Sequence, residues 1–108
     1  MFSSNNRLST PEVNRVFLKG KRVNSPLFQI VYLKVDEDYK VSVNVSKKIS
    51  KSAVGRNLLK RRLCSIMKKH LPVLDGLWMV LLLKKNISKN ELEGFESNFL
   101  KEVKKIKI

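Results

Sequence analysis

The stretch "KVSVNVSKKISKSAVGRNLLKRRLCSIMKKHLPVLDGLWMVLLL", residues 40–83, decides the fold. It opens by alternating Val41, Val43 and Val45 with Ser42, Asn44 and Ser46, the period-two pattern of a half-buried strand. Residues 47–51 form a loop, after which Ser50 or Ser52 can cap a helix. On that helix Leu59, Leu63, Ile66 and Met67 fall at i, i+4, i+7 and i+8, a single apolar face, and Pro72 ends it. The run that follows Gly76 is apolar throughout. It reads best as a central strand buried on both faces, although its periodicity alone also allows a buried helix.

Outward from this strand–helix–strand unit, "SPLFQIVYLKV" (25–35) is rich in β-branched and aromatic residues and predicts another strand. The acidic "DEDYK" (36–40) suits an exposed turn, so strands 25–35 and 41–46 are expected to pair as an antiparallel hairpin. Near the amino end, "STPEVNRVFLKGKR" predicts a short helix. Either Thr10 caps it with Pro11 at the first helical position, or Ser9 caps it with Glu12 closing a box. Val13, Val16 and Phe17 share one face of this helix and Gly20 is its stop. A last helix starts at the box Ser88…Glu91 and carries Leu92, Phe95, Phe99, Val103 and Ile106 on one side. The order is α-β-β-α-β-α, with room for a short extra strand near 20–24. That makes an α+β two-layer sandwich, a mostly antiparallel sheet with helices packed against it. The 108 residues suit one domain, with 1–8 as a flexible start.

Charge narrows the function. Lys and Arg number 23 against 9 Asp and Glu, a formal net charge of +14. Residues 45–70 hold nine of the cations, and no acidic residue occurs between Asp38 and Asp75. Solvated helix faces normally mix both signs, so this one-sidedness points to a polyanionic partner. A membrane is disfavoured: "LWMVLLL" (77–83) is far shorter than the ~20 residues of a spanning helix, and no signal-peptide apolar region follows Met1. Nucleic acid remains, with arginines able to bridge phosphates. Asn57 can read a 2′-hydroxyl or base edge, or instead close a local backbone bond near the helix start.

The chemistry-bearing residue types are sparse. The four glycines form no phosphate loop, Asp36, Glu37 and Asp38 are consecutive, and neither Cys64 nor His70 has a partner that would make a metal or nucleophile site. Cys64 reads as packing, His70 as a capping or packing residue, and a single cysteine fits a reducing, cytoplasmic setting. No catalytic residue and no protein metal ligand are assigned.

"VSKKI" (45–49) followed by "RNLLKRR" (56–62) resembles the strand–loop–helix signature of the protein component of bacterial ribonuclease P. "RLSTPEVNRVFLKGKR" (7–22) and "LPVLDGLWMVLLLKK" (71–85) are similar to that family's flanking motifs, in the same order, so the resemblance spans about residues 7–105. It implies a split βαβ fold with a left-handed crossover. It also implies the function: a partner RNA with bound Mg2+ removes the 5′ leader of precursor tRNA, while the protein, inactive alone, binds that RNA and the leader. No organic cofactor, membrane or obligate protein partner is implied. Carried over onto this chain, Arg56, Asn57, Lys60 and Arg61 face RNA from the helix, Lys47, Lys48 and Lys51 from the loop before it, and Phe17, Val13 and Val31 line the leader cleft. Simple packing of the first helix on the sheet competes for Phe17. The chain departs from the family pattern at Leu58 and Cys64, where arginines are expected. It departs again at Val13 and near Val31, where cleft aromatics are expected, with Tyr32 beside Val31 on the opposite face. Arg62, one turn beyond Leu58, is placed to supply the missing charge. The alternative reading is a non-catalytic RNA-binding module of ribosomal-protein type.

Overall fold

The computed structural model describes residues 4–36 and 38–107. Among the described residues four α-helices and four strands follow in the order α1 (Thr10–Lys19), β1 (Lys21–Asn24), β2 (Phe28–Lys34), β3 (Lys40–Asn44), α2 (Ala53–Lys68), α3 (Leu71–Leu74), β4 (Leu77–Leu83) and α4 (Leu92–Lys107). Helix starts are those the side chains call for. Ser9 and Glu12 close a reciprocal box on α1, so Ser9 rather than Thr10 is its cap. The Ser52 hydroxyl accepts from Gly55 N–H at 2.8 Å to open α2. Ser88 N–H donates to the Glu91 carboxylate one 3-10 turn ahead of α4. The short strand anticipated near 20–24 is β1. Pro72 lies in the first turn of α3, so α2 ends before it, at Lys68.

The expected hairpin between the second and third strands does not form. The sheet runs β1-β2-β4-β3, with β1–β2 and β2–β4 antiparallel and β3–β4 parallel. The cause is β4 itself. Leu77, Met79 and Leu81 are buried on one face and Trp78 and Val80 on the other, and only a central position covers both faces. The edge goes to β3, whose Ser42 is half-buried and Asn44 exposed. Of the turn that joins β2 to β3, Glu37 lies outside the described residues. Asp38 there accepts from Tyr39 N–H at 2.8 Å and from the Asn6 amide at 3.2 Å.

The hand of the β3-α2-β4 crossover follows from the hydrogen bonds. Gly76 C=O and Lys84 N–H both bond towards β2, so the even residues of β4 turn their backbone groups to β2 and the odd ones to β3. The odd residues carry their side chains to the face that α2 covers. For L-residues viewed from that face, with β4 running upward, this puts β3 on the right. The chain therefore passes leftward in front of the sheet, a left-handed crossover where right-handed ones prevail.

The larger core lies between this face and helices α2, α3 and α4. Leu59, Leu63, Ile66 and Met67 enter it from α2, as the periodicity predicts, and Phe95, Phe99 and Val103 from α4. Phe28 and Phe95 meet edge-on at 5.3 Å. On the opposite face α1 seals a smaller core of Val16, Val31, Trp78 and Val80. The turn from α1 into β1 is tight. A Cβ on Gly20 would overlap the Val16 carbonyl oxygen and lie 2.6 Å from that of Tyr32. Of the start at 1–8, residues 1–3 lie outside the described part. Asn6 bonds the Tyr39 carbonyl at 2.8 Å, and Arg7 bridges in parallel to Val41 at the free edge of β3.

Candidate nucleic-acid interface

Helix α2 buries its apolar stripe and turns its cations outward. Asn57 and Arg61 are exposed, Arg56, Lys60 and Arg62 half-buried, and Lys47, Lys48 and Lys51 stand exposed on the loop before it. Among the described residues no carboxylate pairs with any of these eight positions, and the first turn of α2 holds no acid. The positive end of the helix dipole thus has only positive neighbours, an arrangement that costs stability until an anion arrives. Arg56 has a structural share in this. Its Nη1 donates to the carbonyls of Ser50 at 3.0 Å and Lys51 at 3.1 Å, which locks the lysine-bearing loop against the helix.

Beside this face a pocket of about 240 Å³ opens between α2 and the edge of β3, with Asn57, Lys60 and Arg7 among its lining residues. Arg7 was not singled out by the sequence, because only the bridge of the amino-terminal segment to Val41 brings it there. Cys64 lies at the base of the pocket and is buried.

On the opposite face of the sheet α1 stands beside a row of strand residues that it leaves open. Val13 and Phe17 form one wall from α1, both half-buried, and the Arg22 guanidinium lies 5.8 Å from the Phe17 ring centroid. Val31 corrects the expectation: it is fully buried beneath α1 and supports the wall without presenting surface. The open floor is the next row of the sheet, where Asn24, Gln29, Leu82 and Asn44 stand side by side in register. Three carboxamides around one leucine offer donors and acceptors on an apolar base. Strand alternation marks Asn44 as outward-facing in the sequence. That it shares a row with Gln29 depends on β4 lying between their strands.

A family model described as Ribonuclease P matches residues 2–107. The chain belongs to the ribonuclease P protein family. Its similar relatives include the ribonuclease P protein component of a Picosynechococcus species, 32% identical over 95 residues that make up 86% of this chain and 78% of the relative. The Helicobacter pylori ribonuclease P protein component is 28% identical over 118 residues, covering 89% of this chain and 73% of that one. Among solved structures, the RNase P protein of Thermotoga maritima superposes with a TM-score of 0.64 at 27% identity, over 83% of this chain and 80% of its own. The Staphylococcus aureus RNase P protein superposes at 0.76 over 94% of each, a likeness of fold at 21% identity.

Against the ribonuclease P pattern, the departures sort by environment. Leu58 is exposed at 47%, an apolar side chain in the midst of the cationic face. Arg62 follows it by one turn. Cys64 has joined the core. Among the described residues no three His, Cys, Asp or Glu side chains come together as a metal site. His70 is the N-cap residue of α3 through its backbone, with no capping bond from its side chain: its Nε2 lies 2.7 Å from the Glu96 carboxylate and ties the end of α2 to α4. No helix among the described residues is long and apolar enough to cross a membrane.

Proposed function

We propose that this ribonuclease P protein component binds the enzyme's RNA through α2 and the loop before it, with Lys47, Lys48, Lys51, Arg56, Asn57, Lys60, Arg61 and Arg62 as the contact set. The observation that carries the assignment is the run of cations left without carboxylate partners around an exposed asparagine. Phosphate contacts there fix the register, and Asn57 meets a 2′-hydroxyl or base edge. On the other face the 5′ leader of precursor tRNA lies along the carboxamide row. Phe17 and Val13 flank it, Val31 backs the wall, and Phe17 offers a ring on which any base can stack.

In this proposal the cleavage chemistry belongs to the RNA. The protein's residues offer positioning: cations that gather and orient two RNAs, and a cleft that holds the leader extended. In the same proposal magnesium is held by the RNA. On this reading the protein alone is expected to be inactive.

The test is cleavage of a precursor tRNA bearing a 5′ leader by a bacterial ribonuclease P RNA at low magnesium, with and without the protein. Restored cleavage at the mature 5′ end, with no activity from protein alone, is the expected result. Binding of the RNA without any change in cleavage, even with a cognate RNA, would make the chain a passive RNA-binding module and overturn the proposal.

A further inference from the structure

Helix α1 has a second flank, facing away from the leader cleft. There Arg15 and Lys19, one turn apart, stand over the end of β2, and a groove runs beneath them. It consists of two adjoining hollows of about 270 and 410 Å³ that share Lys19, Leu33 and Lys34. Lys21 and Tyr32 close one end, and Asp36 and Trp78 the other. Arg15, Lys19, Lys21 and Lys34 are all exposed, and among the described residues none of them pairs with a carboxylate. Set against Asp36, the one acid among the described lining residues, these four cations leave a net charge of +3. Its base is apolar, from Leu33 and Val35. Trp78, only 8% exposed in its wall, has an indole N–H without a hydrogen-bond partner among the described residues.

We propose that this groove is a second RNA-backbone site, distinct from both the α2 face and the leader cleft, so that α1 is held between two RNA segments. The inference rests on the reading of the chain as an RNA-bound subunit. Concavity argues for a strand, since a flat anionic surface would reach the rims and leave the apolar base empty. Cations along both rims above an apolar base suit a sugar–phosphate chain, with phosphates to the rims and sugars or bases inward. The strand can come from the ribonuclease P RNA or from the body of precursor tRNA.

The experiment measures affinity across a salt series for wild type, for Arg15→Ala/Lys19→Ala/Lys34→Ala, and for a control, Lys89→Ala/Lys101→Ala/Lys104→Ala, which removes equal charge from the α4 side. One arm titrates protein against a ribonuclease P RNA, and the other titrates precursor tRNA against the preformed holoenzyme. In the arm holding the true ligand, the groove variant is expected to lower the slope of log affinity on log salt by ~2 and to weaken binding ~10–100-fold, with a smaller effect from the control. Loss confined to the first arm assigns the groove to the ribonuclease P RNA, and loss confined to the second assigns it to precursor tRNA. Equal slopes for groove and control variants in both arms would overturn the groove alone. A wild type that binds neither RNA would instead overturn the reading beneath it.

Discussion

Arg62 and Lys69 lie two turns apart on the same basic stretch, yet they differ in setting. Arg62 is half-buried one turn after the exposed Leu58, while Lys69 is exposed beyond the last turn of α2. Arg62→Ala is expected to weaken binding to the ribonuclease P RNA about tenfold, the worth of one charge-assisted hydrogen bond of ~1.5 kcal/mol. Lys69→Ala should cost much less, and equal losses would show that Arg62 does not stand in for the arginine missing at Leu58. Phe17→Ala should reduce holoenzyme affinity for leader-bearing precursor tRNA by about 1–3 kcal/mol and leave leaderless tRNA unaffected. If both substrates weaken alike, Phe17 is a packing residue. At this scale much of the candidate site was readable: cations and Asn57 on the polar side of an amphipathic helix announce themselves by spacing. Val31, Arg7 and Gln29 did not, because what each faces is set by neighbours distant in the chain. The same holds for the His70–Glu96 contact, 26 residues apart in sequence.

At the scale of elements, α1 is clasped to β3 across the sheet by Glu12 and Lys40, 2.6 Å apart. The Lys40 hydrogen bond foremost, and then the bond from Ser9 N–H, hold the Glu12 carboxyl down at about 2, from an ordinary 4.5. Because folding lowers this pKa, the stability it adds is complete above about 4.5 and drains away as pH falls towards about 2. Glu12→Gln keeps an acceptor for Ser9 but loses the charge pair. It should be less stable than wild type by roughly 1 kcal/mol at pH 6, a modest figure because the pair is partly solvated. The gap should close near pH 2 in urea titrations, and a gap that stays constant with pH would refute the clasp. The elements themselves were largely legible, since boxes, caps and periodicities are local. Strand pairing was not. Nothing between Lys34 and Lys40 reveals that the chain must step over a strand 37 residues further on, and the short acidic link looks like a hairpin turn.

Over the whole molecule, 23 cations against 9 acids mean that the free protein works against its own field. Raising NaCl from about 0.02 to 0.5 M should therefore raise its melting temperature by about 5 °C, the counterpart of ~1 kcal/mol of relieved repulsion. A melting temperature that falls or stays level would mean that the cations are already compensated within the fold. The central place of β4 has a consequence for how the chain comes off the ribosome. Synthesis delivers β1, β2 and β3 first, but β3 has no sheet neighbour until residues 77–83 emerge. Until then β2 shows an open edge, and β3 has only its ties to the amino-terminal segment at Arg7 and Glu12. The sheet closes only when β4 takes its place between these two edges, and until it does they are open to mispairing with another copy of the chain.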